Sequence, residues 1–115
     1  MTQVLIIMRS SAWQDSQARE AQDLALATAA MDNPVNLLYL GEAVLQLLPL
    51  TGKPVGKDFT VAQKLFPLYD IGEVYVCAKA LDQYQIDPSS LRLPVVVVDD
   101  FGLAAQQQAQ HLLVF

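Results

Sequence analysis

A three-layer α/β/α sandwich around a five-stranded, mainly parallel sheet is the fold class this sequence predicts. Three observations predict it. Short apolar β-type runs alternate with helical runs along the chain, the pattern of right-handed β–α–β crossovers with helices on both faces. The strand-like runs, such as VLIIM and VVVV, do not alternate polar with apolar, which is the habit of strands buried on both faces of a parallel sheet. The chain has 115 residues, room for one core-bearing domain and little more. No repeat, linker or low-complexity segment divides it, so 1–115 reads as a single domain.

Each element has its own local reason. QVLIIM (3–8) is a continuous apolar strand. SQAREAQDLALATAAM (16–31) has helical spacing, with Ala18, Ala21, Leu24, Ala25 and Thr28 along one face and Asp15 or Ser16 as cap. DNP (32–34) breaks it, and VNLLYL (35–40) is the second strand. Gly41 turns the chain into a short helix, EAVLQLL (42–48), which Pro49 stops. Two prolines and two glycines make 49–58 a loop. FTVAQKLF (59–66) is a brief helix, EVYVC (73–77) the third strand, and AKALDQYQI (78–86) a helix ended by Asp87-Pro88. LPVVVV (93–98) is a β-branched fourth strand. DDFGLAAQQQAQ (99–110) is a helix capped by Asp99 or Asp100, and HLLVF (111–115) closes the sheet.

Composition narrows the function classes. Hydrophobic residues make up 53% and charged residues 17%, against about 25% charged in a typical soluble domain. Two causes fit: apolar surface covered by another subunit, or a sheet buried on both faces. A net charge of −5 argues against general electrostatic binding of nucleic acid or an anionic membrane. One cysteine cannot form an internal disulfide, and no apolar run approaches a membrane span, so a cytoplasmic protein is expected.

In an open parallel sheet, sites form beyond the carboxyl ends of the strands. RSSAWQDS, Gly41-Glu42, Cys77 and Asp99-Asp100 fall there. Cys77 sits where a strand gives way to a helix, where backbone N–H groups favour a thiolate, with Lys79 close by. A buried thiol packed like alanine fits the same position, and free cysteine is among the most buried residue types. Arg9, Ser10 and Ser11 could meet an anion, although an ordinary polar loop explains them as well. Trp13 reads as a packing or interface residue. The Asp99-Asp100 pair is explained by capping. Lys53, Lys57 and Lys64 read as a solvated stretch. His111 lacks a second ligand for zinc, so no metal site is expected. There is no Cys-x-x-Cys, no P-loop and no dinucleotide fingerprint.

KLFPLYDIGEVYVCAKAL (64–81) resembles the hallmark segment of the DsrE/DsrF-like sulfur-relay family, most closely its TusC/DsrF branch. REAQDLALATAAMDNPVNLLYLGEAVLQLLP (19–49) and the closing LLVF resemble the same branch. The resemblance implies a five-stranded α/β/α fold. It also implies assembly with TusB/DsrH-like and TusD/DsrE-like subunits in a heterohexamer, without cofactor, membrane or direct nucleic-acid contact. In the Tus arrangement such a complex passes persulfide sulfur from a TusA-like donor to a TusE-like acceptor, toward 2-thiolation of a tRNA wobble uridine. In the Dsr arrangement it serves intracellular sulfur oxidation. The family's carrier cysteine belongs to the TusD/DsrE-like subunit, at the position Cys77 matches. The resemblance therefore implies a subunit that mainly supports that carrier; the alternative is a persulfide on Cys77 itself. A third reading, outside the family, is an anion-binding domain using Arg9, Ser10 and Ser11.

Overall fold

The computed structural model describes residues 3–9, 17–48, 60–99 and 103–115. In chain order the elements are β1 (Val4–Met8), α1 (Gln17–Ala30), β2 (Val35–Tyr39), the 3₁₀ helix η1 (Gly41–Leu47) and α2 (Thr60–Leu65). There follow β3 (Val74–Cys77), α3 (Ala78–Gln83), the 3₁₀ helix η2 (Pro88–Ser90), β4 (Val96–Val98), α4 (Leu103–Gln108) and β5 (His111–Val114). The five strands form one sheet in the order β4-β3-β2-β1-β5, and every pairing is parallel.

This order decides how the faces are covered. From β1 to β4 each step moves to the neighbouring strand in the same direction. Right-handed crossovers therefore put α1, η1, α2 and α3 on one face. The step from β4 to β5 runs back across the sheet, which places α4 on the other face. The core divides accordingly. Val4, Ile6, Met8, Val35, Leu37, Tyr39, Val74 and Val76 pack with Ala21, Ala25, Ala43, Val44, Leu47, Phe66, Ala80 and Leu81. Leu5, Ile7 and Leu38 form a smaller cluster with Ala105 of α4 and Ala109 just beyond it. Strand residues thus alternate between two cores, which is why β1 is apolar at every position.

A helix about 10 Å across covers roughly two strands spaced about 4.8 Å apart, so α4 alone does not cover five. The edges show it. β4 was expected over 93–98 as a strand buried on both faces; only Val96–Val98 joins the ladder, and Val96 is 40% and Val97 43% exposed. All four residues of β5 are exposed, including Leu112 and Val114. Both strands are apolar yet lie at the edges, so their hydrophobicity does not report burial within this chain.

Other boundaries differ for local reasons. The buried face of α1 is Ala21, Gln22 and Ala25, with Leu26 and Ala29 beside it, whereas Leu24 is exposed. The expected stripe through Leu24 and Thr28 is therefore rotated. The short helix expected over 42–48 is η1, a 3₁₀ helix over Gly41–Leu47. Helix α3 ends at Gln83, earlier than the expected 86. Gln85 takes a left-handed φ of 54°, and the N–H groups of Ile86 and Gln85 donate to the carbonyls of Leu81 and Asp82, a Schellman closure. The turn before β3 uses the same device: Asp70 has φ 57°, and Ile71 and Asp70 donate to Phe66 and Pro67. Asp99 lies exposed in a bend after β4, clear of α4. The Asp15, Ser16, Pro49 and Asp100 readings and the 49–58 loop fall outside the described residues. Beyond α3, the Asp87 carboxylate caps η2. The Ser89 backbone N–H, and then its hydroxyl, hold that carboxyl below its usual range.

Gly72 explains part of the 64–81 segment. A Cβ there would lie 2.3 Å from Asn36 Oδ1 and 3.3 Å from the Val35 carbonyl oxygen. Asn36 Oδ1 is held in place because it accepts from the Glu73 N–H at 2.8 Å. Gly72→Ala is expected to destabilise the chain by about 1–2 kcal/mol, through overpacking and loss of that hydrogen bond. Urea denaturation measures it; an unchanged midpoint would mean the turn moves freely.

Candidate functional site

All strands are parallel, so their carboxyl ends share one edge of the molecule. The register fixes a row across that edge: Val98 beside Cys77, then Leu40, then Arg9, each one position beyond the paired residues Val76, Tyr39 and Met8. Cys77 and Arg9 are therefore separated by β2, on the order of 10 Å between backbones. Arg9 is exposed, and its N–H donates to the Phe115 carbonyl at 3.1 Å. The structure places Arg9 and Cys77 at the same end of the sheet without joining them in one cluster. Ser10, Ser11, Trp13, Lys53 and Lys57 lie outside the described residues, while Lys64 and His111 are exposed.

Cys77 is the last residue of β3 and the N-cap of α3, with extended backbone (φ −78°, ψ 126°) and no side-chain capping bond. It is 3% exposed and belongs to the larger core cluster. Beside it opens a pocket of about 450 Å³, lined among the described residues by Gly41, Cys77, Lys79, Ala80, Asp82 and Gln83. The exposed Lys79 and Asp82 give the wall both signs of charge. Cys77 thus forms part of the wall while its thiol stays almost entirely out of solvent. Gly41, with φ +53°, begins η1, and a Cβ there would stand 3.8 Å from the Arg9 carbonyl oxygen. Among the described residues no three histidine, cysteine or acidic side chains come together as a metal site. No described helix is long and apolar enough to cross a membrane.

Beneath the helical layer lies a polar network that the sequence reading missed. Gln22, Gln46 and Gln63 have no exposed surface. Gln22 Oε1 accepts from the Tyr39 hydroxyl at 3.1 Å and from Gln63 Nε2 at 2.9 Å. Arg92 donates to Gln63 Oε1 and to the Gln46 carbonyl, and its Nε donates to the Leu48 carbonyl at 2.9 Å. Burial pushes the Tyr39 phenol well above its ordinary value, and the Arg92 charge opposes that only partly. Tyr39 is therefore a hydrogen-bond donor at any physiological pH. The available signal was a glutamine inside each of three apolar helical runs.

Known proteins place this arrangement. The family model described as DsrE/DsrF-like matches residues 2–115. A "Protein TusC homolog" of Pseudomonas aeruginosa is 36% identical over 104 residues, covering 87% of this chain and 86% of that protein. A homologue of the same name in Vibrio parahaemolyticus is 33% identical over 115 residues, covering 97% and 92%. "Protein TusC" of Escherichia coli is 30% identical over 93 residues, covering 78% and 77%. The crystal structure of the ychN protein from E. coli superposes with a TM-score of 0.86 over all of both chains. At 18% identity, that likeness speaks to the fold alone.

Proposed function

The chain belongs to the DsrE/DsrF-like family, and from that premise we propose that it is a subunit of a sulfur-relay complex serving 2-thiolation of the tRNA wobble uridine. In this reading it assembles with TusB-like and TusD-like subunits in the cytoplasm, and its main task is to support the carrier cysteine of the TusD-like partner. The similarity to TusC proteins supports the complex. The observation that carries the supporting role is the burial of Cys77, 3% exposed within the core. A carrier thiolate must reach the terminal sulfur of the donor persulfide, and a packed thiol does not. The apolar edge strands β4 and β5 supply surface for neighbouring subunits.

The pocket beside Cys77 favours a second reading, in which Cys77 itself takes sulfur. The Cys77 thiolate would attack the outer sulfur of a donor persulfide. A new S–S bond forms as the donor's S–S bond breaks, and the donor leaves as a thiolate, with no net oxidation.

One experiment separates the two. The three-subunit complex is exposed to a persulfidated TusA-like donor, and the intact mass of each subunit is measured. The supporting role predicts one added sulfur atom on the TusD-like subunit and none on this chain. A gain on this chain that Cys77→Ala abolishes would establish the second reading in its place. Failure to co-purify with either paralogue would overturn the supporting role.

A further inference from the structure

Gly41, the first residue of η1, lines the pocket beside Cys77, and the construction of η1 is unusual. It runs for seven residues as a 3₁₀ helix, whereas such helices seldom exceed three or four because their hydrogen bonds are poorly aligned. Its N-cap, Leu40, makes no side-chain capping bond, and the next residue, Gly41, holds a left-handed φ of +53°. Its body packs against β3 and α3, the two elements that meet at Cys77. Its Ala43, Val44 and Leu47 share a cluster with Cys77, Ala80 and Leu81.

The far end of η1 is held from outside. The Arg92 N–H donates to the Leu47 carbonyl at 2.9 Å, and its guanidinium donates to the carbonyls of Gln46 and Leu48. Three consecutive carbonyls at the end of a weak helix thus accept from one residue of the segment between η2 and β4, and the first of them, that of Gln46, also accepts from Gln63 Nε2 at 3.4 Å. Gln63 Oε1 accepts from the same guanidinium, which ties the clamp to α2.

We infer that Arg92 is a latch that holds η1 over the Cys77 thiol, and that the thiol becomes reachable by local opening of η1 about Gly41. Arg92 is a positioning residue here; it acts on Cys77 only through η1. The inference rests on the geometry of the fold and not on any fate of sulfur.

The test uses a small alkylating reagent, iodoacetamide, followed by intact mass. The chain has one cysteine, so every adduct reports Cys77. In the wild-type chain the labelling rate should depend only weakly on denaturant below the unfolding transition, the mark of a local opening. In Arg92→Ala labelling should accelerate about tenfold or more, since hydrogen bonds from a charged donor are lost. Arg92→Lys should fall between the two. Amide exchange at Leu45–Leu48 should accelerate with it, while exchange in β1 and β2 stays slow. Labelling that follows global unfolding in the wild type overturns the latch, even if Arg92→Ala fails to fold. So does unchanged labelling in a folded Arg92→Ala. No sulfur donor is present, so neither result depends on the relay.

Discussion

Gln63→Leu is expected to cost the fold about 2–3 kcal/mol, read as a lower urea midpoint at an unchanged slope. The side chain has no exposed surface, and leucine fills nearly its volume, so the loss is one of polar partners and not of packing. Gln63 Nε2 donates to Gln22 Oε1 at 2.9 Å and to the Gln46 carbonyl at 3.4 Å, and its Oε1 accepts from Arg92. With leucine in place, the guanidinium loses a buried acceptor. Gln22 Oε1 keeps the Tyr39 hydroxyl but loses the Gln63 amide. Among the described residues Gln22 Nε2 already lacks a partner, so the network has little reserve. Lys64→Ala, one residue away and exposed, should change stability by less than about 0.5 kcal/mol. If Gln63→Leu is equally silent, the network contributes nothing that apolar packing cannot replace.

Much of the fold was legible because its strands announce themselves. Val4–Met8 and Val74–Cys77 are apolar at almost every position, and only a parallel sheet with two covered faces uses such runs freely. The placement of Cys77 at the junction of β3 and α3 followed from the switch between strand and helix spacing. What stayed hidden depends on distant partners. Apolarity alone could not tell the buried Leu37 from the exposed Val97, because the difference is whether a strand lies at the centre or the edge of the sheet. Helical spacing put Leu24 on the buried face, but Gln22 turns α1 inward to meet Tyr39 and Gln63. Arg92 could not be singled out, since its partners lie 29 to 46 positions away in sequence. Cys77 shares its core cluster with η1, whose length as a 3₁₀ helix no residue pattern announces.

The second large effect concerns assembly. Leu112→Lys combined with Val114→Lys is expected to lower affinity for the TusB-like and TusD-like subunits by at least about tenfold, from a cost near 1 kcal/mol per desolvated side chain. The two side chains are 45% and 53% exposed. The register sets them beside Leu5 and Ile7, on the face that α4 covers only in part. Among the described residues β5 has β1 on one side and no strand on the other. Lysine is what sheet edges carry when they are built to stay unpaired. The isolated variant should keep its fold, because neither side chain is central to a core, and its circular dichroism and urea midpoint check that. Co-purification against the wild type measures the loss. The low charge content of the chain admitted two causes, an interface or a sheet buried on both faces, and this substitution separates them. A well-folded variant that fails to assemble assigns the apolar edge to a neighbouring subunit. One that assembles like the wild type removes β5 from the interface, and the partner contacts must then lie elsewhere.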